Sequence, residues 1–210
     1  MRRVERKFDG MSVAHMVGFG FKQAWLALRQ PVGDAAQICA ALGANDLGTV
    51  DWQQGIDLAY LTDNRIAITP PLAGASGVSW TLVVGRLFFA DAGMPDIVEL
   101  SSQLGTEVQF FATHRMVEAH FWERGVEGRL VRSFRYVGET GEITRWYGEP
   151  DATELAIGLP PAFDTEAEPE DQPNVVVDED DVMTVAAAWS LDPTQLDGQA
   201  APGPIHVAAR

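Results

Sequence analysis

The run VSWTLVVGRLFF (78–89) constrains the fold more than any other stretch of this chain. It is aromatic, β-branched and almost continuously apolar, and it shows no helical period. A strand with one wet face alternates polar and apolar residues; a run like this one fits a strand covered on both faces. It therefore predicts a central strand in a sheet with packed layers on either side. The GASG segment (74–77) supplies the turn that leads into it.

The neighbouring segments are read around that strand. GFKQAWLALRQ (20–30) reads as a strand bounded by Gly20 and Pro31, although its Ala, Leu, Lys and Gln also suit a helix. DAAQICAALGA (34–44) predicts a short helix with Asp34 as N-cap and Gly43 as stop. VDWQQGIDLAYL (50–61) is ambiguous, and NRIAITPP (64–71) is a strand stopped by its prolines. MPDIVELSSQLG (94–105) predicts a helix that starts near Asp96 and ends at Gly105. From 106 to 150 come strands joined by tight turns, with GVEG (125–128) and GETG (138–141) as hairpin signals and ITRWYGEP (143–150) as a further strand. DATELAIGL (151–159) is a short helix. DEDDVMTVAAAWSL (178–191) is the strongest helix, with an acidic first turn that suits the positive end of its dipole. This order predicts an α+β fold, a mostly antiparallel sheet with helices packed on it. Residues 11–160 form the domain, and helix 178–191 docks on it. Residues 1–10 are expected to be a flexible basic extension, 161–177 an acidic linker loop, and 192–210 a disordered tail rich in Ala, Gly and Pro.

The formal net charge is −15, and nine acidic residues fall within 164–181, so six of the fifteen excess negative charges belong to the other 192 residues. That balance argues against nucleic acid and against an anionic membrane as partners, because both need a surplus of Lys and Arg. It suits a basic protein partner. The basic start followed by MSVAHMVGFGF resembles a signal peptide superficially, but Lys22 cuts the run short and no clean cleavage site follows. The expected compartment is the cytoplasm. The single cysteine, Cys39, rules out an internal disulfide and reads as a small buried hydrophobe.

The chain has no phosphate-binding loop, dinucleotide fingerprint, HExxH, paired CxxC or nucleophile elbow, and no cofactor is expected. One candidate constellation remains, HRMVEAHFWERG (114–125). As one continuous strand it would place His114, Met116, Glu118, His120 and Trp122 on a single face. Glu118 and His120 would lie about 6–7 Å apart, within reach of one metal ion, while His114 would sit about 20 Å from His120. Glu118 and His120 are thus a weak metal candidate, and Arg115 a candidate ion-pair partner of a carboxylate on another strand. Arginines 124, 129, 132, 135 and 145 cluster in the next hairpin with Phe134 and Tyr136. Arg132 and Arg135 could line an anion pocket, or pair with the acidic body; the net charge favours pairing. Trp146, in RWYGEP, is a candidate contact residue.

WLAL (25–28), ITPPL (68–72), SWTLVVG (79–85), VQFFATHRMVEAHFW (108–122) and DEDDVMTVAAAWSLDP (178–193) together resemble a family of uncharacterised bacterial cytosolic proteins. The likeness spans about residues 20–192. It implies no activity that can be carried over, and it points to a place beside bacterial toxin systems. The expectation is an acidic cytosolic binding protein of immunity type that caps a basic partner such as a toxin domain. The alternative is a small-ligand-binding protein or a metal-dependent enzyme that uses Glu118 and His120 with the hairpin arginines.

Overall fold

The structure, a computed structural model, describes residues 14–90, 93–164 and 173–210. Ten strands form one antiparallel sheet: β1 (Ala24–Arg29), β2 (Asn45–Val50), β3 (Arg65–Ile68), β4 (Leu72–Ala73), β5 (Ser79–Val84), β6 (Glu107–His114), β7 (Ala119–Val126), β8 (Arg129–Val137), β9 (Glu142–Tyr147) and β10 (Ile205–Ala209). Their order across the sheet is β2-β10-β3-β5-β1-β6-β7-β8-β9, with the short β4 also paired to β5. The expected α+β fold is what the chain adopts. β5 is an internal strand, as its composition required, but it ends at Val84. Gly85 lies against Ile66, where a Cβ would stand 2.8 Å from Ile66 Cγ2, and RLFF beyond it turns into a 3-10 helix over Arg86–Phe89.

Among the described residues five helices cover the sheet: α1 (Ala35–Ala41), α2 (Trp52–Leu61), α3 (Ile97–Leu104), α4 (Ala152–Ala156) and α5 (Glu179–Trp189). Asp34, Asp51, Asp96, Asp151 and Asp178 cap them by accepting from first-turn backbone N–H groups. The side-chain alternation of the central strands divides the core into two layers. On one face Trp25, Leu82, Val84, Phe111 and Trp122 pack with Trp52 and Ile56 of α2 and with Val182, Val185 and Trp189 of α5. On the other, Leu26, Leu28, Val83, Val108 and Phe110 meet Ile38 and Cys39 of α1 and Ile97 and Leu100 of α3. Cys39 is buried there, and burial followed by the nearby Asp46 carboxylate raises its thiol pKa.

Two expectations need correction, and one stretch left open is resolved. Residues 192–210 are ordered: Asp192 caps a 3-10 turn over Pro193–Leu196, and β10 lies between β2 and β3. The composition looks like a tail, but IHVAA alternates, placing Ile205 and Val207 in the α2 layer and Ala208 in the other. Gly55 of α2 approaches this strand so closely that a Cβ would stand 2.6 Å from Ile205 Cγ2. His206 is therefore part of a strand, and His15 bridges to Ala200 and bonds Gly198 O through Nδ1 at 3.0 Å. NDLGTV forms the edge strand β2, and the ambiguous 50–61 run is the helix α2. The second correction is that 114–125 is not one strand. β6 ends at His114, residues 115–118 turn, and β7 begins at Ala119, so Thr113 pairs with His120 and His114 with Ala119. The expected flexible extension, 1–10, and the middle of the acidic loop, 165–172, lie outside the described residues. The described part of that loop is not wholly exposed, since Val175 and Val177 are buried in the α5 layer. Among the described residues no helix is long and apolar enough to cross a membrane.

Candidate functional site

The hairpin turn decides where the candidate residues go. His114 and His120 alternate onto opposite faces of the sheet. His114 meets Phe89 edge-on, with ring centroids 5.3 Å apart, on the α3 side. His120 points to the α5 side and is 2% exposed. Glu118 sits in the turn with φ 46°, a left-handed conformation that side chains other than glycine rarely adopt. Its backbone O accepts from Gly138 N at 2.8 Å, which ties the β6–β7 turn to the β8–β9 turn. The eight candidates therefore separate into three places.

Arg115, Glu118 and His120 come together in a pocket of about 350 Å³, with Tyr136, Val176, Val177 and the acidic residues Asp178, Glu179 and Asp180 at the start of α5. A hydrogen-bonded chain crosses its floor. Thr113 Oγ1 donates to Glu179 Oε1 at 3.2 Å and lies 3.0 Å from His120 Nδ1. Arg115 Nε lies 3.2 Å from Glu179 Oε2. A hydroxyl has one proton. Given to Glu179, it leaves the Thr113 oxygen to accept, so Nδ1 carries the imidazole proton and Nε2 keeps the lone pair. Nε2 has no hydrogen-bond partner among the described residues and is not sealed from solvent. Burial lowers the His120 pKa below its ordinary value, opposed by the carboxylates of Glu179, Asp178 and Glu118, so the ring stays neutral. Burial followed by Glu118 raises the Tyr136 pKa. The pocket therefore offers a neutral acceptor, a phenol and several carboxylates. It is suited to hold a cation and poorly suited to hold an anion. Among the described residues no group of three or more His, Cys, Asp or Glu side chains is placed to hold a metal ion.

Trp122, Arg132 and Trp146 form the second place, and it is closed. Glu154 Oε1 accepts from Trp122 Nε1 at 2.6 Å and from Arg132 Nε at 2.8 Å, while Oε2 accepts from Asp151 N at 3.0 Å. Arg132 Nη1 also donates to Tyr147 O at 2.9 Å, and the guanidinium lies 4.2 Å over the Trp146 ring. Burial lowers the Arg132 pKa, with Glu154 opposing. With Arg132 2% and Glu154 0% exposed, this pair fastens α4 and the end of β9 to the sheet. Arg135 occupies the third place, on the α3 side with His114, where it lies 4.5 Å over Phe121 and donates to Met94 Sδ at 3.1 Å.

Most of the hairpin arginines pair with the acidic body. Arg124 Nε is 2.7 Å from Glu107 Oε1, a close contact of charges without hydrogen-bond alignment, and Arg29 approaches the same carboxylate at 3.7 Å. Arg145 pairs with Glu123 at 3.4 Å. Arg115 reaches Glu179 of α5. Thr113, Tyr136 and Glu179 were not singled out as site residues from sequence. Thr113 becomes visible once the hairpin register is known, because it is the cross-strand partner of His120.

A second cleft, of about 490 Å³, opens between the segment around residues 17–23 and α2. It is lined by Phe21 and Tyr60, both partly exposed, and by the carboxylates of Asp57 and Asp197.

The class that the fold and these clefts define is a three-layer α+β protein: an antiparallel sheet between two helical layers, with acidic, aromatic-lined pockets. Comparison with protein-family models, with curated proteins and with solved structures finds no match.

Proposed function

We propose that this chain is an acidic cytoplasmic binding protein of bacterial immunity type that caps a basic protein partner. One observation carries the reading: six of the eleven Lys and Arg residues among the described residues are paired with the body's own carboxylates. Arg29, Arg86, Arg115, Arg124, Arg132 and Arg145 pair with Glu107, Asp63, Glu179, Glu154 and Glu123. The net charge of −15 is thus expressed outward by carboxylates such as Asp51, Asp57, Glu118, Asp180 and Asp197, which have no Lys or Arg partner among the described residues. Exposed charge of one sign speeds encounter with a partner of the other and rejects like-charged competitors. Affinity purification of the tagged chain from its native host, with the recovered partner identified and quantified, tests the reading. The expected result is a basic protein in stoichiometric amount. Recovery of no stoichiometric partner, or of an acidic one, contradicts the reading.

The His120 pocket favours a second reading, a small-ligand-binding protein built on Glu118 and His120. The hairpin arginines do not take part in it, because Arg132 is sealed against Glu154 and Arg135 lies across the sheet.

A further inference from the structure

The His120 pocket is an unusual place to leave a nitrogen lone pair. His120 is 2% exposed, its Nδ1 is committed to Thr113, and its Nε2 has no partner among the described residues. Nε2 is open to the pocket, where water or a ligand donor can reach it. The chain from Glu179 through Thr113 fixes the tautomer, so the missing partner is a donor. The charges around it say which donor. Glu118 from the β6–β7 turn and Asp178, Glu179 and Asp180 from α5 face the pocket, and Arg115 is the only cation among its lining residues, with its Nε already 3.2 Å from Glu179. The walls are the Tyr136 ring and Val176, which suit an alkyl stem ending in a charge. An anion would meet the carboxylates of Glu118, Asp178, Glu179 and Asp180 against the single guanidinium of Arg115, and the described groups do not form a metal site.

We infer that this pocket receives the ammonium or guanidinium end of a lysine or arginine side chain of the partner, donating to His120 Nε2 and held by Glu118 and the carboxylates that open α5. This rests on the reading of the chain as a binder of a basic protein, and it names the point at which that partner is anchored.

The test uses the purified full chain and defined probes: agmatine, a blocked tripeptide with central lysine, and the same tripeptide with norleucine. The readout is the ¹⁵N resonance of His120 Nε2, with calorimetry for affinity. The lysine peptide is expected to shift that resonance and the norleucine peptide to leave it alone. Glu118→Gln, in an exposed turn, is expected to weaken the lysine peptide about tenfold or more, the scale of one charged hydrogen bond. His120→Phe is expected to abolish it, with thermal melting used to show that the variant folds. Binding of agmatine without the lysine peptide overturns the assignment to a partner side chain and leaves a free cationic metabolite as occupant. No resonance shift with any cation at millimolar concentration, or equal shifts with lysine and norleucine, overturns the inference altogether. If the cations fail yet the chain still captures a basic partner, the pocket assignment falls and the binding function stands. If they bind while no partner is found, the pocket stands and the function falls.

Discussion

Replacing Glu154 by leucine strands three donors at once. Its Oε1 accepts from the buried Trp122 Nε1 and Arg132 Nε, and its Oε2 from the part-buried Asp151 N. Removing one member of a buried ion pair costs about 3–5 kcal/mol, because the other charge stays behind in a poorly polarisable site. For a domain of this size 1 kcal/mol moves the melting temperature by about 2–4 °C, so Glu154→Leu should melt about 6–20 °C lower. Arg132→Met should cost a similar amount, since it leaves the Glu154 carboxylate buried with only Trp122 Nε1 and Asp151 N to satisfy it. The double variant removes both charges. What remains is the buried Trp122 N–H without its acceptor, a cost of about 1–3 kcal/mol, together with Asp151 N and Tyr147 O, whose lost bonds are only part-buried. The double variant should therefore be more stable than either single one, as measured by chemical denaturation at constant m-value. If the two losses instead add, the side chains act independently, and the argument that Glu154 and Arg132 form one unit is refuted.

Three further outcomes follow from the same geometry. Deleting residues 205–210 removes β10 from between β2 and β3, and circular dichroism should show loss of the cooperative melt; an unchanged melt would mean that the C-terminal strand is dispensable. Gly55→Ala forces a Cβ against Ile205, where overpacking should cost about 1–3 kcal/mol in denaturant titration, and a neutral result would contradict the close packing of α2 on β10. The His120 pKa is lowered in the folded state, so the unfolded chain takes up its proton first as pH falls. Its contribution to stability is thus full above the ordinary value of 6.5 and is lost as pH falls below it towards the folded value. His120→Gln should flatten the pH dependence of the melting temperature in that range, and an unchanged slope would show that the ring titrates freely.

The core of the fold could be read from particular residues. The VVG run marked an internal strand, Asp96 and Gly105 marked the two ends of α3, and Asp178 with the following acidic turn marked the start of α5. The site could be read only in part. HRMVEA lacks the glycine or asparagine that usually betrays a tight turn, and the positive φ falls on Glu118. With the turn hidden, period-two counting placed His114 on the same face as His120, whereas the chain reverses between them and they face opposite ways. Arg132 and Arg135, named together as possible pocket residues, lie on opposite faces of the sheet instead. The C-terminal strand escaped because five alternating residues after a Gly- and Pro-rich segment carry too little local signal. Its place depends on a gap between β2 and β3 that only the complete sheet defines. Glu179 joined the pocket through a contact between distant parts of the chain, which local pattern does not report.

The most direct test of the central claim is the rate at which the chain associates with the basic partner recovered from its host, followed by stopped flow across ionic strength. The Debye length shortens from about 30 Å at 0.01 M to about 10 Å at 0.1 M. If outward-facing carboxylates steer the encounter, the association rate constant should fall steeply over that range while dissociation changes little. An association rate indifferent to salt would contradict the account.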